Sequence, residues 1–127
     1  MSELVCLELS ALLWVAHLVA QLAFAGGAYS HAYLLSSRDE KSEPKGLLHP
    51  RATRALANYL ENFVPFIAAD VALILSNHAG GMGATIWILG RAAYLPLYIA
   101  GVSYFRTAAW GVSIVGLLMM LARLAGL

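Results

Sequence analysis

The sequence predicts an all-α integral membrane protein, a single domain over residues 1–127 built as a four-helix bundle. Composition is the first sign. Of 127 residues, 61% are hydrophobic and only 12% are charged, whereas a soluble domain carries about 25% charged residues. Organisation is the second: the apolar residues fall into four long runs separated by short polar or glycine-rich breaks. The third is periodicity, because the strongly polar side chains inside those runs recur three or four residues apart, the helical spacing. A formal net charge of +1 gives no field that would gather nucleic acid. Cys6 is the sole cysteine, so no internal disulfide or cysteine-rich metal site is possible.

The first apolar run covers about residues 4–35. As one helix it would reach roughly 48 Å, longer than a hydrocarbon core of about 30 Å, so it must tilt or project. It is a poor signal peptide, because Glu3 and Glu8 replace the expected basic start and the run is too long. Ser36 to His49 holds Arg38, Asp39, Glu40, Lys41, Glu43 and Lys45 and reads as an exposed loop. Pro50 then sits where a helix accepts proline, in its first turn. The second helix covers about residues 51–76, and Asn77 to Gly83 forms a glycine-rich turn. The third helix covers about 84–104 and the fourth about 107–124. Phe105, Arg106 and Thr107 alone separate them, with no proline or glycine break read there, which predicts a tight helical hairpin. Pro65 and Pro96 lie inside helices, as membrane helices tolerate.

Four crossings put both termini on one side. Arg38, Lys41, Lys45, Arg51, Arg54 and Arg106 gather on the other. Positive charge favours the cytoplasm, so both termini are expected on the non-cytoplasmic side.

Arg51, Arg54, Asn58 and Glu61 open the second helix at spacings of three, four and three. At about 100° per residue they fall within an arc of roughly 80°, one polar stripe in the wrong solvent. Arg91, Tyr94 and Tyr98 make a second stripe on the third helix. Counted from the two basic ends, Asn58 and Glu61 lie roughly 10–15 Å deep and Tyr98, Tyr94 and Arg91 roughly 12–22 Å deep. The two stripes should therefore face each other, within a subunit or across an interface, with Arg91 as structural counter-ion to Glu61. The same residues would also serve as a purely structural network between helices, or, for Arg51 and Arg54, as interfacial topology determinants. Tyr94 and Tyr98 could equally just pack. His17 and Gln21, one turn apart, read as interhelical hydrogen-bonding groups and Asp70 as an interfacial acid. His31, His49 and His78 show no metal-ligand spacing, so no metal is expected.

Arg51-x-x-Arg54-Ala55-x-x-Asn58-x-x-Glu61, followed by Phe63-Val64-Pro65-Phe66, resembles the signature of the MAPEG family, the membrane-associated proteins in eicosanoid and glutathione metabolism. Arg91-x-x-Tyr94-x-x-x-Tyr98 with Arg106 beyond it is similar to that family's third helix. The likeness spans most of the chain and is nearest to short bacterial members, which implies a bacterial inner membrane. It implies a homotrimer with glutathione between subunits. Arg51 and Arg54 would meet the peptide's carboxylates, Asn58 and Glu61 its backbone and amino group, and Tyr94 and Tyr98 would line the pocket. Arg106 would be the catalytic arginine that stabilises the glutathione thiolate; it reads otherwise as a loop or interface arginine. Asn62 stands where some members carry tyrosine. The function implied is a glutathione-dependent transferase or peroxidase acting on a lipophilic small molecule. Two other readings fit the residues: a small proton-coupled multidrug-type transporter using Glu61 or Glu8, and a non-enzymatic membrane assembly protein in contact with lipid.

Overall fold

The computed structural model describes residues 1–127 and is entirely helical outside its turns. Helix α1 covers Glu3–Ala28, a short α2 covers His31–Leu35, and α3, α4 and α5 cover Leu48–Leu75, Gly83–Ala100 and Ser103–Leu124. Helices α1, α3 and α5 are long and apolar enough to cross a membrane; α4, eighteen residues with Arg91 at its middle, is not among them.

Two boundaries differ from expectation for identifiable reasons. The first helix does not run to Leu35. It stops at Ala28, Tyr29 turns extended, and the Ser30 hydroxyl accepts the Tyr33 N–H at 3.2 Å to start α2. A serine cap satisfies a free amide at a helix start, so the chain gains a hydrogen bond by breaking here. The break between α4 and α5 lies earlier than Phe105–Thr107. Gly101 adopts φ 76°, the left-handed conformation that ends helices, and the Arg106 N–H already bonds the Val102 carbonyl. Arg106 therefore stands in the first turn of α5. Helix α3 starts at Leu48, three residues ahead of Arg51, with Pro50 in its first turn, where a missing N–H leaves no bond unmade.

Helix α4 packs most extensively on α5, and α1 on α3; α3 also touches α4 and α5, and α1 touches α4. In lipid there is little hydrophobic drive between helices, so close approach and dispersion do the holding. Glycines permit that approach between α4 and α5. A Cβ on Gly116 would stand 2.6 Å from the Gly83 carbonyl oxygen and from the Trp87 nitrogen, and one on Gly90 would stand 2.8 Å from the Ala109 carbonyl oxygen. The small residues Gly27 and Gly111 have open space instead. Between α3 and α4 the Phe66 and Trp87 rings stack with centroids 3.9 Å apart, and the buried Tyr59 hydroxyl donates to the Ser10 carbonyl of α1. Large apolar side chains such as Leu12, Val19, Val64 and Leu118 point outward, as lipid requires.

At the end of the bundle that holds both termini, the turn between α3 and α4 is gripped from both sides. A carboxylate oxygen of Glu3 accepts the Gly80 and Gly81 N–H groups at 2.7 and 3.1 Å. Arg123 donates to the His78 and Ala79 carbonyls. Asp70 lies near this end of α3; it is fully buried, and neither carboxyl oxygen has a hydrogen-bond partner.

Candidate functional site

The site grows from two helices whose polar stripes do meet within one subunit. Helix α3 carries its stripe because Arg51, Arg54, Asn58 and Glu61 recur near the helical period; α4 carries Arg91, Tyr94 and Tyr98 for the same reason. Arg91 Nη1 donates to Asn58 Oδ1 at 2.8 Å. Nearer the Arg51 end, Arg54 Nε donates to the Tyr98 hydroxyl at 3.3 Å. Arg51 Nη1 reaches across to the Ile99 carbonyl at 3.0 Å, capping the last turn of α4. That reach requires Gly101, since a Cβ there would sit 2.8–2.9 Å from the guanidinium.

The expected pairing of Arg91 with Glu61 is not what forms. Arg91 is completely buried and its one hydrogen-bond partner is the neutral Asn58 amide; Nε and Nη2 have none. Its guanidinium lies 5.3 Å from the Tyr94 ring centroid and 5.7 Å from that of Trp87, so aromatic faces replace the anion. Glu61 is exposed and makes no side-chain hydrogen bond within the chain. The reason is angular. Arg51 and Asn58 differ by only about 20° around α3 and are half-buried, whereas Arg54 and Glu61 lie a further 40–60° round, at roughly 100° per residue, and are exposed. The stripe straddles the edge of the subunit.

Arg106 comes in from α5 and stacks over Tyr98, its guanidinium carbon 4.6 Å from the ring centroid. Tyr94 and Tyr98 meet edge to face at 5.5 Å. Asn58, Tyr94, Tyr98 and Arg106, with Thr107 and Trp110, line an open cleft of about 200 Å³. Nothing in the sequence pointed to Thr107 at the cleft, and Trp110 read only as an interface anchor, although it follows Arg106 at the four-residue spacing that shares a helix face. Gln21 and His17 stay outside the cleft: Gln21 Nε2 donates to Thr53 at 3.2 Å, and His17 bonds the Leu13 carbonyl of its own helix while packing on Tyr59 at 4.4 Å. Nowhere do three His, Cys, Asp or Glu side chains converge as metal ligands would.

A helical protein with membrane-spanning segments and a basic, tyrosine-lined cleft at one end defines the class. The MAPEG family model matches residues 5–126, and the chain belongs to the MAPEG family. Comparison with curated proteins and with solved structures finds no match.

Proposed function

We propose that the cleft is one subunit's share of a glutathione site, and that the protein is a glutathione-dependent transferase or peroxidase acting on a lipophilic electrophile. The observation that carries this is the convergence of Asn58, Tyr94, Tyr98 and Arg106 on one cleft, with Arg54 bonded to the Tyr98 hydroxyl and Glu61 exposed and unpaired on the same α3 stripe. The donor set suits a peptide with two carboxylates, one ammonium and a thiol. Arg51 and Arg54 bring fork-shaped donors that match carboxylates. Glu61 offers an acceptor for the ammonium, and Asn58 both a donor and an acceptor for amides. The family's name, with its link to glutathione metabolism, supports the same ligand.

Glutathione supplies the reactive thiol. The chain's own contribution is to orient it and to favour its anion, which a nearby guanidinium does by opposing charge. Arg106 is the arginine for that role because it lines the cleft and is held over Tyr98. At about 200 Å³ the cleft is smaller than the ~300 Å³ lower bound of ordinary ligand sites. Two stripe residues also point off the subunit's edge. Both facts support a homotrimer in which a neighbouring copy completes each site. In this reading α4 is the fourth crossing, its buried Arg91 shielded by α3 and by its own aromatics, and both termini lie on the non-cytoplasmic side of a bacterial inner membrane. Glu61 lies on the outer face rather than along a passage between helices, which does not favour the transporter reading.

Titration of the purified protein with glutathione tests this. Saturation at about 100 times Kd should raise stability by about 2.7 kcal/mol. Arg54→Ala and Glu61→Gln should remove that stabilisation. A folded trimer that glutathione does not stabilise would defeat the proposal.

A further inference from the structure

The largest cleft in the molecule shares no residue with the cleft of Asn58, Tyr94, Tyr98 and Arg106. It measures about 420 Å³ and lies between α1, the short α2 and the start of α3. Its wall is built across the chain break at Tyr29–Ser30. The Tyr29 and Tyr33 rings stack at 5.2 Å, and Tyr29 meets the His49 ring edge to face at 5.2 Å. The Gln21–Thr53 hydrogen bond ties its α1 and α3 sides together. Arg38 closes one side. Its Nη2 is pinned on the Leu34 carbonyl at 3.0 Å, and its backbone holds φ 58°, a conformation a bulky residue adopts only when its surroundings hold it there. Arg38 forms no ion pair within the chain. The nearest acid in sequence, Asp39, is engaged by the Ser37 hydroxyl at 2.6 Å, and neither Asp39 nor Glu40 lines this cleft.

The lining changes character with depth. Arg38, His49 and the two tyrosines lie around the end of α1, whereas Leu22, exposed and also lining the cleft, is about 9 Å deeper along the helix, beside Gln21, whose amide already donates to Thr53. Tyrosine and arginine at the edge of the hydrocarbon, with leucine below, is the polarity profile of a lipid, not of a free ion. One cation without an internal partner matches one phosphodiester charge. We propose that this cleft holds a single anionic phospholipid, its phosphate on the Arg38 guanidinium and the neighbouring tyrosine hydroxyls, and one acyl chain along Leu22. The proposal does not rest on the glutathione reading, and the two sites share no residue.

The test is native mass spectrometry of the detergent-purified full chain with added phosphatidylglycerol, without glutathione. One lipid per subunit should be retained. Retention should weaken about tenfold in Arg38→Gln, the scale expected for a lost charged hydrogen bond, and about as much when phosphatidylcholine replaces phosphatidylglycerol. Inorganic phosphate alone should produce no thermal stabilisation, whereas phosphatidylglycerol should. Phosphatidylglycerol with a photoreactive acyl chain should label residues 21–34. Arg38 lies outside every helix, so circular dichroism of Arg38→Gln should match the parent. Equal retention by Arg38→Gln, equal retention of the two lipids, stabilisation by phosphate alone, or labelling confined to other helices would each overturn the proposal.

Discussion

Arg91 and Asn58 join α4 to α3 through a 2.8 Å hydrogen bond in which a fully buried cation faces a neutral amide. A buried charge is tolerated only when its hydrogen-bonding and electrostatic needs are met, so this bond carries more of the interface than an ordinary amide contact would. Asn58→Ala should destabilise the protein by about 3 kcal/mol. Asn58→Asp, which restores an acceptor and adds an anion, should recover most of that loss. Thermal unfolding in detergent measures both, and an Asn58→Ala protein as stable as the parent would show that the aromatic faces of Tyr94 and Trp87 suffice.

Gly101 answers to two demands at once, its own backbone and the Arg51 guanidinium. Gly101→Ala should cost about 1–2 kcal/mol for the left-handed conformation alone, plus a share for displacing Arg51 from the Ile99 carbonyl. In the double variant with Arg51→Ala, the second share should vanish and the first remain. A double-mutant cycle reads the difference, and strict additivity would mean that Arg51 yields to a methyl group without loss.

Two glycines on α5 should respond in opposite directions. Gly116→Ala drives a methyl group into the backbone of α4 and should destabilise by about 1–3 kcal/mol. Gly111→Ala meets open space in a helix interior and should be neutral or stabilising by about 0.5–1 kcal/mol. Chemical denaturation of the two variants side by side decides it; matching losses would place a second interface over Gly111.

For Arg106, the expected signature separates binding from ionisation. Arg106→Ala should leave the glutathione-induced stabilisation largely intact while lowering the thiolate-to-thiol ratio of bound glutathione about tenfold. Arg106→Lys should restore part of it. Ultraviolet thiolate absorbance of the complex provides the readout, and an unchanged ratio in Arg106→Ala would remove the residue from any catalytic role.

How much of this could be read from the chain depended on geometry that repeats. The spacing of Arg51, Asn58, Arg91, Tyr94 and Tyr98 foretold that α3 and α4 would turn these residues toward one another, because helical period alone decides which side chains share a face. It did not foretell which member of an 80° arc would find a partner: Glu61 lies far enough round the helix, at about 100° per residue, to leave the subunit. Gly101 was invisible because it sits within apolar and aromatic residues, where composition does not change although the backbone does. The burial of Asp70 was hidden for a similar reason. Distance along α3 puts it near an end, but burial depends on what the neighbouring helices bring against it.

The grip of Glu3 and Arg123 on the turn between α3 and α4 falls on main-chain atoms of residues 78–81. At His78 and Ala79 the clasp takes only carbonyl oxygens, so it places no demand on those two side chains. At Gly80 and Gly81 it does: Gly80 holds φ 101°, and a Cβ on Gly81 would stand 3.1 Å from the Arg123 side chain. This corner is thus specified jointly by two glycines within it and by two charges more than a hundred residues apart.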